Sequence, residues 1–106
     1  MKRAIIIFPD GRVLDEKTDF KKFKKDYLSG GHIEMLPLTR EAHAYIDEDG
    51  KSKGLEYNTK ATLLCRSHRC LNNNDIIVGP MAIFGTDRDR ESDVPDFVRE
   101  WLGILK

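Results

Sequence analysis

The spacing of apolar residues changes along this chain, and each spacing predicts a different element. Ile5, Ile6 and Ile7 form an unbroken apolar run, which predicts an interior strand from Arg3 to Phe8 rather than one with a wet face. Pro9-Asp10-Gly11 supplies turn chemistry, so the chain is expected to return as a hairpin through Arg12 to Lys17. Phe20, Phe23, Tyr27 and Leu28 then recur at helical spacing. They predict a helix capped by Thr18 or Asp19, stopped by Ser29-Gly30-Gly31, with Lys21, Lys22, Lys24 and Lys25 on its outer face. Ala61, Leu64, Cys65 and His68 share one face of a second helix, which Asn58 caps and which ends near Cys70 to Asn74. Phe97, Val98, Trp101, Leu102 and Leu105 form the stripe of a third, opened by Pro95. Trp101 is expected to anchor that helix, buried either in the monomer core, the favoured fate, or against a second subunit.

Between the first and second helices the spacing suits strands. If Thr39 and Arg40 form a two-residue loop, Pro37 pairs with Ala42, Met35 with Ala44 and Ile33 with Ile46 on an apolar face. The opposite face then sets Glu34 against Tyr45 and Leu36 against His43. Asp47-Glu48-Asp49-Gly50 reads as a turn, Lys51-Ser52-Lys53-Gly54 as a polar connection, and Leu55 to Tyr57 as a short extended segment. Asp75 to Phe84 is apolar enough for a strand but contains Gly79-Pro80, so an edge position, a bulge or a break is expected there. Thr86 to Ser92 carries alternating charges and reads as a solvated loop. Strands and helices do not alternate strictly, which predicts an α+β fold: one small, mostly antiparallel sheet with about three helices, in a single domain spanning 1–106.

Composition narrows the function classes. The 106 residues suffice for one domain that buries a core without disulfide or metal staples. Eighteen basic and eighteen acidic residues cancel, so no global field favours nucleic acid or an anionic membrane. Ala4 to Phe8 is too short for the apolar segment of a signal peptide, and no run approaches a membrane span. The expected location is therefore the cytoplasm. Cys65 and Cys70 stand five residues apart; on a continuous helix the rise between them would be about 7.5 Å, which favours free thiols over a disulfide.

Several residue sets invite chemistry. Glu34 and His43, with Tyr45 adjacent, have the types of a general acid and base on neighbouring strands, but no activated nucleophile or oxyanion site accompanies them. Cys65, His68 and Cys70, completed by His32 or His43, have the types of a zinc site. Their shared helical stripe fits core packing better than the short-spaced pairs of structural zinc sites. Asn58, Thr59 and Lys60 offer backbone N–H groups, a hydroxyl and a cation to an anion at a helix N-terminus, beside the ordinary capping role. No cofactor is expected.

The segments Gly31-His32-Ile33-Glu34, Pro37, Asp47-Glu48-Asp49-Gly50-Lys51, Gly54-Leu55, Asn58, Ala61 and Ile77-Val78-Gly79 together resemble Domain of Unknown Function family 3846. The resemblance covers Lys2 to Gly85 as a family-like core (1–85) and leaves a charged loop and C-terminal helix (86–106) outside it. It implies a small protein of bacteriophages or other mobile elements and no established reaction. The resulting expectation is a non-enzymatic accessory protein in the cytoplasm of a bacterial host. It would be a monomer or homodimer that binds a host protein or a small anionic metabolite through Glu34, His43, Tyr45, Asn58, Thr59 and Lys60, with counter-defence as one role. Two alternatives stand beside it: a small enzyme using Glu34 and His43, and a nucleic-acid-binding protein using the Lys21 to Lys25 helix, although its flanking Asp19 and Asp26 argue for a solvated face.

Overall fold

The computed structural model describes residues 1–29 and 31–104. The chain order is β1 (Lys2–Ile7), β2 (Val13–Thr18), α1 (Phe20–Tyr27), β3 (Ile33–Thr39), β4 (Ala42–Asp47), α2 (Thr59–Ser67), β5 (Met81–Asp87), β6 (Arg90–Ser92) and α3 (Asp96–Leu102). The strands form one antiparallel sheet in the order β2-β1-β5-β4-β3, with β6 also paired to β5. The α+β class, the antiparallel sheet and the three helices agree with the sequence reading.

Both faces of the sheet's centre are covered. Phe23 of α1 packs on one face with Ala4, Ile6, Phe8, Ala82 and Phe84. On the other face α2 and α3 contribute Ala61, Leu64, Cys65 and Val98 to a core with Ile5, Ile7, Met81 and Ile83. Alternate residues of β1 and β5 therefore enter different cores, and both need to be apolar. That explains the unbroken Ile5-Ile6-Ile7 run.

Asp19 caps α1, its carboxylate accepting from the Lys22 N–H at 2.8 Å. Ser29, in the left-handed region at φ 55°, follows the helix; Gly30, expected to help stop it, lies outside the described residues. Of the three outcomes expected at Gly79-Pro80, the structure has a break. Val78 makes only an isolated bridge to Tyr57, and β5 begins at Met81, beyond Pro80. The missing proline N–H thus falls outside the ladder, and β5 can occupy the sheet's centre.

Thr86 to Ser92 is not a loop. β5 runs on to Asp87, and Arg88 and Asp89, at φ 49° and 64°, turn the chain into β6. Two consecutive positive φ values are the geometry of a tight hairpin turn. Here they fall on charged residues, where sequence signals for such turns look for glycine or asparagine. Gly85 is fixed by crowding: a Cβ there would lie 2.0 Å from the Asp93 carbonyl oxygen.

Pro95 stands at the N-cap of α3, and Gly103 closes the helix in the left-handed conformation. Val98 is the fully buried anchor, whereas Trp101 is 40% exposed, which corrects the expectation that Trp101 is buried in the monomer core. Val98 and Val94 occupy the core positions, and Phe97 and Leu102 pack against that core. Leu105, expected in the stripe, lies outside the described residues. A bidentate pair fastens α3 to β2, with Arg99 Nε and Nη2 at 2.7 and 3.1 Å from the two carboxylate oxygens of Asp15.

Candidate functional site

The β3-β4 hairpin decides which side chains share a surface. Its turn residues are Arg40 and Glu41, closed by Thr39↔Ala42, with the Glu41 N–H donating to Thr39 Oγ1 at 3.0 Å. An irregularity between Pro37 and Thr39 accommodates Leu38 as an extra, buried residue. Beyond it the register is Leu36↔Ala44, Met35↔Tyr45, Glu34↔Ile46 and Ile33↔Asp47. This differs by one residue from the register expected of a Thr39-Arg40 loop, and because side chains alternate, a one-residue slip exchanges the faces. Glu34 accordingly shares a face with Ile46, toward α2. His43, paired with Pro37, and Tyr45 lie toward α1. The Glu34 and His43 acid and base pair is not assembled, and Tyr45 is on the His43 side.

Tyr45 belongs to an aromatic group, stacked on Phe20 at 6.1 Å and edge-on to Phe84 at 5.7 Å. Its hydroxyl is shifted upward, chiefly by burial and then by the nearby Glu91 carboxylate. Glu91 is itself raised by burial and by Asp19. A charged segment read as solvated thus places Glu91 beside a sheet face.

The α2 N-terminus is occupied by its own structure. Asn58 is fully buried; Oδ1 accepts from the Ala61 N–H at 3.1 Å, and Nδ2 donates to the carbonyls of Ile7 at 2.9 Å and Gly79 at 2.8 Å. Lys60 Nζ donates to the Gly11 carbonyl at 2.9 Å, and Thr59 is exposed. Asn58 and Lys60 therefore act as struts joining α2 to the end of β1, the turn after it and the segment before β5, with the Asn58 side chain wholly engaged in that role.

Cys65 and Cys70 are free thiols, as expected, but the backbone between them is not the continuous helix on which their spacing was judged. After α2 the chain does not continue as a helix. Arg69 takes a left-handed φ of 58°, the Arg69 N–H donates to the Arg66 carbonyl, and the Cys70 N–H donates to the Cys65 carbonyl, both at 3.0 Å. This is a complete Schellman closure. It folds Cys70 back over Cys65, where the estimate from a continuous helix kept them apart. His68 turns elsewhere, its Nδ1 3.0 Å from the Leu64 carbonyl and its ring 5.4 Å from that of Phe97. Cys65, His68 and Cys70 do not assemble with His32 or His43, and among the described residues no three His, Cys, Asp or Glu side chains form a metal-holding group.

A concave site does form, where the end of the β3-β4 hairpin, the acidic turn and the segment before β5 meet. The pocket has a volume of about 100 Å³. Leu36, Ile46, Leu71, Ile77 and Val78 give it an apolar lining, and Glu34, Glu48, Lys51 and Asp75 a charged rim. Local hydrogen bonds shape the turn. Asp47, almost wholly buried, accepts from the Asp49 N–H at 2.9 Å and from Lys53 Nζ at 2.7 Å. Asp49 meets His32 Nδ1 at 3.3 Å. Asp75 pairs with Lys51, which together with the Ile76 N–H holds its carboxyl below the ordinary value. Glu34 and Glu48 have no ion-pair partner among the described residues. Of the residues singled out by chemistry, only Glu34 lines this pocket. Glu48, Lys51 and Asp75 went unremarked as site residues because charged turn residues ordinarily face water; Glu48 and Lys51 do belong to the motif segment Asp47-Glu48-Asp49-Gly50-Lys51.

Fold and pocket define a small antiparallel α+β domain with a side-chain-sized cleft at one end of its sheet. The model of the family described as Domain of unknown function (DUF3846) matches residues 2–104, and the chain belongs to that family. The match continues through β6 and α3, beyond Gly85, where the resemblance in the sequence stopped. No curated protein and no solved structure matches the chain. Some of the segments that carried the resemblance meet at the pocket: Glu34, Asp47, Glu48, Lys51, Ile77 and Val78 line the cleft, His32 meets Asp49, and Asn58 bonds Ile77 and Gly79, whereas Pro37, Gly54-Leu55 and Ala61 lie outside the lining.

Proposed function

We propose that this protein is a non-enzymatic binding protein that captures a partner protein by seating one of its Lys or Arg side chains in the Glu34-Glu48 pocket. The observation that carries this reading is the combination of an apolar lining with two unpaired carboxylates on the rim. A Lys or Arg side chain has the matching form, an aliphatic stem and a cationic end. Size supports a side chain over a metabolite, since about 100 Å³ is well below the 300–1,000 Å³ of ordinary small-molecule pockets. Charge argues in the same direction, because the rim repels an anion. Of the two occupants expected from the sequence, the partner protein is therefore favoured over the anionic metabolite. The wider setting, an accessory protein of a phage or mobile element acting in the bacterial cytoplasm, with counter-defence among its roles, is part of this proposal and rests on the family resemblance. No helix among the described residues is long and apolar enough to cross a membrane.

The test is binding to a peptide array that varies Lys, Arg, Gln and Glu at a single position. Basic peptides should be retained preferentially, less so at high salt, and the double variant Glu34→Gln, Glu48→Gln should lose at least tenfold in affinity, about 1.4 kcal/mol. Retention indifferent to the basic residue, or unchanged in the double variant, overturns the reading.

A further inference from the structure

We propose that Cys65 and Cys70 are a site of reversible oxidation that closes to an intramolecular disulfide in the folded protein, with Cys70 as the attacking thiol and Cys65 as the resolving one. The geometry is set by the backbone. The hydrogen bond from the Cys70 N–H to the Cys65 carbonyl at 3.0 Å returns Cys70 to the helix face that Cys65 occupies, and Cys70 packs against the core cluster to which Cys65 belongs. The C-terminal closure of a helix characteristically brings these two positions into side-chain contact, and here both carry sulfur.

The two thiols have unequal surroundings. Cys65 is fully buried and lies 3.7 Å from the Met81 sulfur, whereas Cys70 is half-buried and reachable from solvent. The neighbouring Cys65 thiol and the Cys70 backbone N–H lower the Cys70 thiol, favouring its thiolate, while Cys70 and burial push Cys65 up. An accessible thiolate with a protected thiol against it is the arrangement of an oxidation-sensitive pair. A peroxide is the oxidant class that suits the restricted access. The Cys70 thiolate attacks one peroxide oxygen, the O–O bond breaks, and Cys70 becomes a sulfenic acid as hydroxide leaves. The Cys65 sulfur then attacks the Cys70 sulfur, the S–O bond breaks, and the Cys65 proton leaves with the departing hydroxide as water. Two thiols are oxidised, one hydrogen peroxide is reduced, and two waters form. The new bond fastens Cys70, immediately before Leu71 in the pocket lining, to α2.

The experiment treats the folded full-length chain with stoichiometric hydrogen peroxide, quenches with an alkylating reagent under denaturing conditions, and reads intact mass and peptide mass. The expected product is a monomer lighter by the mass of two hydrogens, with neither cysteine alkylated, formed at a rate independent of protein concentration and reversed by dithiothreitol. In Cys65→Ser, Cys70 should stop at a sulfenic acid trapped by dimedone; in Cys70→Ser, Cys65 should stay reduced. Two alkylatable thiols after treatment, a disulfide-linked dimer, or over-oxidation of Cys70 without bond formation would each overturn the site. Oxidation of Cys65 in Cys70→Ser at the parent's rate would overturn the assigned roles. The mass measurement on the parent decides the disulfide even where a variant fails to fold.

Discussion

The interior strand β1 and the edge strand β3 were read from the same kinds of sequence signal, with different success. β1 pairs with β2 on one side and β5 on the other, and Ala4 through Ile7 are fully buried. Its neighbours differ in which face they serve, yet either assignment buries an isoleucine, so nothing in its composition depends on exact register. Among the described residues β3 has a partner on one side only, and its residues differ sharply from face to face, with Met35 45% exposed while Leu38 is buried. There a slip of one residue changes which side chains meet. Apolar content alone identifies an interior strand, whereas an edge strand's surface depends on its turn.

The difference can be pressed experimentally, starting at the centre. Ile6→Ala removes a fully buried side chain between β1's neighbours and α1 and should cost about 2–5 kcal/mol in chemical denaturation. A loss below 1 kcal/mol, on the order of a surface change, would show that the α1 face is not packed as described. The next effect lies where centre and pocket meet. Asn58→Ala removes the α2 cap and leaves the Ile7 and Gly79 carbonyls without their donor. The expected loss is about 2–4 kcal/mol. Asn58→Asp keeps the cap acceptor but not the donor and should recover only part of it.

At the opposite edge, the Asp15-Arg99 pair between β2 and α3 should contribute about 1 kcal/mol, its solvent exposure limiting the gain. The Arg99 guanidinium holds the Asp15 carboxyl below its ordinary value. A carboxyl depressed on folding contributes in full above its unfolded value, about 4, and the contribution is lost as pH falls through the depressed folded value. Arg99→Gln should therefore be less stable than the parent at neutral pH, and the gap should narrow in acid. A gap that stays constant from pH 7 into the acid limb would argue that the loss comes from packing and not from the ion pair. The smallest effect is expected on β3: Met35→Lys, on the exposed edge strand, should change stability by less than about 0.5 kcal/mol. A large loss would place Met35 inside a core and restore the register in which it shares an apolar face with Ala44.

Local signals made much of the fold legible. The Asp19 and Asn58 caps, the Pro9-Asp10-Gly11 turn and the apolar periods of α1 and α2 act over a few residues, and their physical causes are visible in a short window. The candidate site was legible only in part. Glu34 was singled out, but for a partnership with His43 that the sheet forbids. Glu48, Lys51 and Asp75 carry no chemical signature apart from the tertiary fold that brings them round Ile77 and Val78.

What the sequence determined by itself was therefore the inventory: a single α+β domain, an interior first strand, three amphipathic helices and the family segments around the acidic turn. Tertiary structure decided the juxtapositions. One extra residue at Leu38 sent Glu34 and His43 to opposite faces. A left-handed Arg69 folded Cys70 onto Cys65. Val98 in place of Trp101 became the anchor of α3. In each case the sequence supplies residues whose local preferences permit more than one arrangement. The choice falls to the burial of distant apolar surface, which a window of neighbouring residues does not contain.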